Sequence, residues 1–149
     1  MRNTVRVLTT LLAAVAFAAG FAHLISLPNK LPMSRDDYFT AQQVYRGWAL
    51  LGIPILAALL LSVTLAVLDR KHRSRFRLSV AAAACLALAL GVFFAFTFPA
   101  NQETRNWTVA PPNWERLRSE WEYSHAVGAG LYFAALTALV LSLARSPDG

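Results

Sequence analysis

Three residues suited to proton transfer and ligand binding, Arg118, Glu122 and His125, lie close together in residues 114–125. Their spacing of four and three residues would place them on one face of a helix. Histidine titrates near neutral pH, and glutamate is a common proton donor and acceptor. A long apolar run follows directly, so this chemistry would take place at the edge of a membrane helix.

Apolar residues make up 56% of the 149 residues and are concentrated in four runs, at about residues 7–27, 49–68, 78–98 and 123–144. A helix needs roughly 20 residues to cross the hydrocarbon core of a bilayer. The runs predict an all-α polytopic membrane protein, with one domain over residues 1–149 and four transmembrane helices in an up-down bundle. For the first run the alternative is a cleaved signal peptide, because Ala16-Phe17-Ala18 has a small-x-small pattern. We favour a retained helix because the apolar sequence continues well past that point.

Prolines and capping residues predict where the helices begin and end. Pro28 and Pro99 are expected to end the first and third helices, and Pro54 is expected to bend the second. Ser34 is a predicted N-cap, followed by a helix that carries Tyr38 and residues 42–48 into the second span. A second N-cap, predicted just before Trp114, would open a fourth helix that ends near residue 144.

The basic residues indicate the orientation in the membrane. The net charge is +6, and five of the 14 Lys and Arg residues lie in the basic loop, residues 69–77, between the second and third runs. Basic loops stay on the cytoplasmic side, which predicts cytoplasmic termini in a bacterial cytoplasmic membrane. This placement argues against nucleic-acid binding, although the charge alone would allow it. The single cysteine, Cys85, excludes the paired-thiol chemistry of disulfide oxidoreductases.

The up-down arrangement brings residues from distant parts of the chain to the outer end of the bundle. Its first and last helices are neighbours, so His23 and His125 are expected at similar depth. Asn101 reaches the same level from the end of the third helix. The expected ligand-binding residues around this polar site are Glu122, Arg118, Tyr45, Gln42 and Trp121. Simpler interpretations are a surface ion pair between Arg118 and Glu122 and interhelical hydrogen bonds of the histidines.

The residues of this polar site allow two kinds of metal or cofactor site and exclude two others. A single metal could bind His23, His125 and Glu122, or a haem could lie between the two histidines. In the interpretation that we prefer there is no cofactor, and the same side chains exchange protons with a bound organic molecule. A di-iron site is excluded because only one Glu-x-x-His spacing occurs, and a zincin because His-Glu-x-x-His is absent. Gly128 and Gly130 do not form a phosphate loop and are expected to let helices approach closely.

Short motifs resemble those of the anthrone-oxygenase-like family of small four-helix membrane proteins, most of which are known only as a domain of unknown function. The motifs are Phe21-Ala22-His23-Leu24, Leu27-Pro28-x-Lys30, Tyr45-Arg46-Gly47-Trp48, Phe98-Pro99-Ala100-Asn101 and Trp121-Glu122-Tyr123-Ser124-His125. The resemblance implies oxidation of a tricyclic phenolic anthrone to a quinone by dioxygen, with His125, His23 and Asn101 as catalytic residues.

Three hypotheses therefore stand side by side. The protein is an oxidoreductase acting on a lipophilic aromatic or quinone-like molecule, a haem- or metal-binding protein that uses His23 and His125, or a non-enzymatic membrane scaffold or partner subunit. Whether it forms oligomers does not follow from the sequence.

Overall fold

A computed structural model describes residues 2–145, whose regular secondary structure is entirely helical. A π-helical turn, Phe93–Thr97, joins α4 and α5 into one continuous segment, and two 3-10 turns, Gln43–Tyr45 and Trp48–Leu51, precede α3. The α-helices are α1 Arg2–Lys30, α2 Arg35–Gln42, α3 Gly52–Leu68, α4 Arg73–Val92, α5 Phe98–Glu103 and α6 Trp114–Ala144.

Four helical segments are long and apolar enough to cross a membrane, as the four runs predicted. Their most apolar windows have mean hydropathies from 2.0 to 2.5, and the segments are Arg2–Lys30, Trp48–Leu68, Arg73–Glu103 and Trp114–Ala144. Large apolar side chains on the outer faces are exposed, among them Leu50 at 70% and Ile53 at 68%. Soluble monomers rarely expose apolar surface continuously, so a lipid environment explains these faces.

The four long segments pack in a ring. Helices α1 and α4 each contact both α3 and α6, so the first and last helices are neighbours, as expected. Small side chains fill the centre of the ring, because membrane helices gain contact by close approach of their backbones. The fully buried members of this core are Ala13, Ala58, Leu65, Ala82, Leu86 and Ala135.

Helices α1 and α6 approach closely at Gly20. A Cβ atom added there would lie 3.1 Å from the Cα of Ala129 and 3.2 Å from the Tyr132 ring. The prediction for Gly128 and Gly130 is wrong in its residues. A Cβ at Gly128 would meet only Tyr132, at 3.8 Å, and a Cβ at Gly130 would meet nothing within 4 Å.

Charged residues tie the helices together at one end of the ring, here called the basic end. Arg6 of α1 forms a buried ion pair with Asp69, which directly follows α3. Arg75 of α4 donates a hydrogen bond to the backbone carbonyl of Arg145, which directly follows α6. The basic loop is shorter than predicted, because α4 begins at Arg73.

Neither proline ends its helix where the sequence predicted. Helix α1 continues past Pro28 to Lys30, and the third segment continues past Pro99 to Glu103. A proline within a helix removes one hydrogen bond and crowds the carbonyl four residues earlier. The π-helical turn directly before Pro99 widens the backbone at that point, which accommodates the ring.

The prediction of one continuous helix from Ser34 into the second span is also wrong. Ser34 does cap α2, since its hydroxyl accepts a hydrogen bond from the backbone N–H of Asp37. However, α2 ends at Gln42, and the chain turns at Gly47, which has a φ of 88°. Pro54 lies inside the continuous helical segment Trp48–Leu68, and the bend expected there stays a prediction.

The fourth long helix has the predicted bounds, but its start is not capped as expected. The Asn113 side chain makes no capping hydrogen bond and instead donates to Oε2 of Glu103 at 3.2 Å. This contact ties the end of α5 to the start of α6.

Candidate functional site

The structure brings His23 of α1 and His125 of α6 into direct contact. Their ring centroids lie 4.1 Å apart, with the ring planes inclined by 45°. Nδ1 of His125 lies 2.8 Å from the backbone carbonyl of Trp121 and must donate to it, which leaves Nε2 as a proton acceptor in the neutral ring. Nδ1 of His23 is buried and has no hydrogen-bond partner among residues 2–145.

Aromatic rings enclose the two histidines. Trp121 lies 4.0 Å from His125 and 5.0 Å from His23, between ring centroids. Tyr45 and Trp48 contact His23 from another side, at 4.4 Å and 5.3 Å. The rings come from α1, α6 and the connection between α2 and α3, so they define a second end of the ring of helices, here called the aromatic end.

A turn in the connection between α2 and α3 places Tyr45 and Trp48 against His23. Arg46 has φ −59° and ψ 125°, and Gly47 has φ 88° and ψ −8°. These angles are those of a type II β-turn, whose third position favours glycine because it requires a positive φ. The turn brings the Tyr45 and Trp48 rings within 5.0 Å of each other.

A buried ion pair lies beside the histidines. Nζ of Lys30 is 2.9 Å from Oε1 of Glu122, and both side chains are almost completely buried. The ammonium group also donates to the Tyr45 hydroxyl at 3.2 Å and lies 4.9 Å from the centres of the Tyr45 and Trp121 rings. Contact with aromatic faces stabilises a cation that has lost its water. Lys30 therefore connects the ion pair to the aromatic rings around the histidines.

Tyr38 supplies the second hydrogen bond to Glu122. Its hydroxyl donates to Oε1 at 2.9 Å, from the short helix α2 that packs over this end of the ring. Burial, and then the neighbouring Glu122 carboxylate, raise the pKa of Tyr38 well above its ordinary value, so the phenol keeps its proton. Gln42 donates to the same hydroxyl, while its own Oε1 is buried without a partner in the described chain.

Asn101 holds two tryptophans in place. Its Oδ1 accepts hydrogen bonds from the indole N–H of Trp121 at 2.9 Å and of Trp107 at 3.1 Å. The side chain thus acts on the histidines through Trp121, which makes it a positioning residue in this geometry. The resemblance had implied a catalytic role.

Arg118 lies at the edge of the site and does not pair with Glu122. It donates to the backbone carbonyl of Met33 at 2.8 Å, and its guanidinium lies 4.7 Å from the centre of the Trp114 ring. The expected surface ion pair between Arg118 and Glu122 is therefore wrong. Glu122 faces the interior and pairs with Lys30, which lies beyond the predicted end of the first helix at Pro28.

Three residues of this site, Lys30, Tyr38 and Trp48, were not among the predicted site residues. A spacing of seven places Lys30 on the same helix face as His23, and this signal was present in the sequence. The predicted end of the helix at Pro28 placed Lys30 outside it. Tyr38 was noted only as part of a longer helix, and nothing in its immediate sequence indicates a partner 84 residues away.

Neither a haem nor a single metal fits this arrangement. Imidazole nitrogens coordinate metals at about 2 Å, so rings on opposite sides of a haem iron have centroids roughly 6 Å apart. The centroids of His23 and His125 are too close, at 4.1 Å. Within residues 2–145, no three His, Cys, Asp or Glu side chains are grouped as metal ligands.

Fold and site together describe an all-helical protein with four membrane-compatible segments and a buried polar site among aromatic rings. No family model matches the sequence, and neither a curated protein nor a solved structure matches it significantly.

Proposed function

We propose that this chain is a small bacterial cytoplasmic-membrane protein that binds a lipophilic aromatic or quinone-like molecule at its aromatic end and oxidises it. In this proposal the four helices cross the membrane up and down, with both termini in the cytoplasm. The concentration of arginine and lysine at the basic end supports that orientation. The resemblance to the anthrone-oxygenase-like family rests on the short motifs and supplies the class of substrate.

The clustering of buried polar atoms without partners carries the proposal. Of the ten such side-chain atoms within residues 2–145, Nδ1 of His23, Oε2 of Glu122 and Oε1 of Gln42 belong to one connected cluster at the aromatic end. Buried polar atoms almost always have hydrogen-bond partners, because an unsatisfied one loses its hydration without compensation. A phenol or quinone has hydroxyl and carbonyl groups to satisfy such atoms, and its rings suit the aromatic surroundings.

The reaction proposed is oxidation of an anthrone-type methylene to a carbonyl with dioxygen as the oxidant. The methylene loses two hydrogens and gains one oxygen atom, and the second oxygen atom leaves as water. His125 would accept a proton from the substrate, since its Nε2 is the free nitrogen of the ring. Lys30 supplies positive charge, which favours the anion that forms when the proton leaves.

A second candidate, a non-enzymatic scaffold or partner subunit, is favoured by close packing at the same place. The rings of His23, His125, Trp121 and Tyr45 already contact one another at centroid distances between 4.0 and 5.6 Å. In this case the histidines serve to join α1 to α6.

Fluorescence titration of the purified protein distinguishes the ligand-oxidising enzyme from the non-enzymatic scaffold. An anthrone or naphthoquinone bound at the site should quench Trp121, and the anthrone should be converted to its quinone with consumption of oxygen. His125→Gln and His23→Gln should weaken binding and abolish conversion, while His72→Gln, at the basic end, should change neither. Absence of saturable quenching in a monodisperse wild-type sample would refute the binding proposal and favour the scaffold.

A further inference from the structure

A cavity at the basic end is independent of the aromatic site. It is open to the surface, has a volume of about 500 Å³ and is lined by Arg73, Ser74, Arg77, Leu78 and Arg145, whose three arginines are exposed. Four of these residues come from the first two turns of α4, and Arg145 directly follows α6. The cavity therefore lies between the start of one membrane-compatible segment and the end of another.

We propose that this cavity binds the phosphate of an anionic membrane lipid. Three guanidinium groups line it without an acidic side chain, and none of the three forms an ion pair within residues 2–145. Asp69 is the one acidic residue at this end of the described chain, and Arg6 binds it. Arginine suits phosphate because its planar group donates two parallel hydrogen bonds.

The spacing of the arginines favours a bound anion. Arg73 and Arg77 are four residues apart on α4, and like charges at this spacing repel each other. Arg145 also lines the cavity, and Arg75 anchors its backbone by donating a hydrogen bond to its carbonyl. A phosphate between the three groups converts this repulsion into attraction, and the Ser74 hydroxyl is a further donor.

The surroundings favour a lipid over a soluble phosphate. Leu78 forms an apolar part of the cavity wall. Leu141, one turn before Arg145 on α6, is 47% exposed, so an acyl chain could extend along this face from a phosphate held in the cavity. Basic cavities between helices at the membrane surface are suited to anionic lipid headgroups.

Native mass spectrometry of the full chain with added lipid tests the proposal. The wild type should retain phosphatidylglycerol in preference to phosphatidylcholine. Arg73→Gln with Arg77→Gln should lower this retention roughly tenfold or more, whereas the matched double variant Arg70→Gln with Lys71→Gln, outside the cavity, should change it less than about threefold. Arg145→Gln, which leaves α4 intact, provides a second test if the double variant does not fold.

Three results would overturn the proposal. Equal losses in the two double variants would mean diffuse attraction between a basic loop and anionic lipid. Equal retention of both lipids would mean that the cavity does not select negative charge. Displacement of phosphatidylglycerol by saturating inorganic phosphate would identify a site for a soluble anion.

Discussion

Lys30 and Glu122 bind each other between α1 and α6, with 2.9 Å between Nζ and Oε1 and no more than 5% of either side chain exposed. Two charges withdrawn from water are costly, and their attraction offsets this cost only when the geometry is good. Here Tyr38 donates a hydrogen bond to Oε1, Tyr45 accepts one from the ammonium group, and two aromatic rings face that group. Oε2 of Glu122 has no hydrogen-bond partner within residues 2–145. This ion pair joins the two helices that also supply the histidines.

Removing one partner of this pair should destabilise the protein strongly. Lys30→Met leaves the Glu122 carboxylate buried without its counter-charge, which is expected to cost about 3–5 kcal/mol. Thermal unfolding in detergent, followed by tryptophan fluorescence, measures the change. Lys30→Met combined with Glu122→Leu should recover most of the loss, because no unpaired charge then remains.

An exposed ion pair on α6, the helix that carries Glu122, provides the control. Arg116 and Glu120 lie 2.6 Å apart, and both are partly or largely exposed. Exposed pairs contribute about 0–1 kcal/mol, so Arg116→Met should have little effect. If Lys30→Met were as mild as Arg116→Met, the ion pair would not be buried as described.

Tyr38 should remain protonated at a pH where ordinary tyrosines ionise. Because its pKa in the folded protein lies above the ordinary value of about 10, its contribution to stability is complete below that pH and decreases as the pH rises beyond it. The unfolding temperature of the wild type should therefore fall above about pH 10 more steeply than that of Tyr38→Phe.

Absorbance of tyrosinate gives a direct measurement of the same property. In the folded protein, Tyr38→Phe should leave the tyrosinate signal near pH 10 unchanged, because Tyr38 does not ionise there. A signal that decreases in the variant would show that Tyr38 titrates normally, in conflict with its burial.

Much of the helical architecture could be predicted from the sequence because it follows from the lengths of apolar runs. The bounds of α6 and the contact between His23 and His125 required only a helical repeat and short connections. The connection between α2 and α3 could not be predicted in the same way. Its path depends on Gly47 adopting a positive φ and on Tyr38 reaching Glu122, a contact between residues 84 positions apart.

The error at Pro28 explains why the ion pair was missed. Proline disfavours a helix interior but does not forbid it, and packing of α1 against α6 can outweigh the lost hydrogen bond. The two further residues of helix carry Lys30 inward. Without them, Lys30 would belong to a loop, and Glu122 would have only Arg118 as an obvious partner in the sequence.

Asn101 should matter through the tryptophans that it holds. Asn101→Ala leaves the indole N–H groups of Trp107 and Trp121 without their acceptor, and a buried donor without a partner costs about 1–3 kcal/mol. The variant should unfold at a lower temperature and show altered tryptophan emission. Asn113→Ala is the matched control: its amide binds Glu103 at the surface, so a change within about 0.5 kcal/mol is expected. Equal effects of the two substitutions would contradict the role given to Asn101.

Gly20 sets the distance between the helices that carry the histidines. The Cβ of Gly20→Ala would lie 3.1 Å from the Cα of Ala129, and a backbone atom cannot move aside as a flexible side chain can. The helices must shift apart by a few tenths of an ångström at this level, one turn from both His23 and His125. We expect a lower unfolding temperature. Because the ring contacts loosen, the neighbouring rings should also quench the fluorescence of Trp121 less.

Gly130→Ala, on α6, is the control substitution at a glycine that has free space around it. A Cβ there meets nothing within 4 Å, and alanine favours a helix over glycine by up to about 1 kcal/mol, so this variant should be as stable as the wild type or more stable. Both substitutions add the same methyl group to a long helix. Comparing the two variants therefore separates the effect of helix–helix packing from that of helix propensity. If Gly20→Ala were tolerated as well as Gly130→Ala, α1 and α6 would not approach as closely as described, and the contact between the two imidazoles would lose its structural basis.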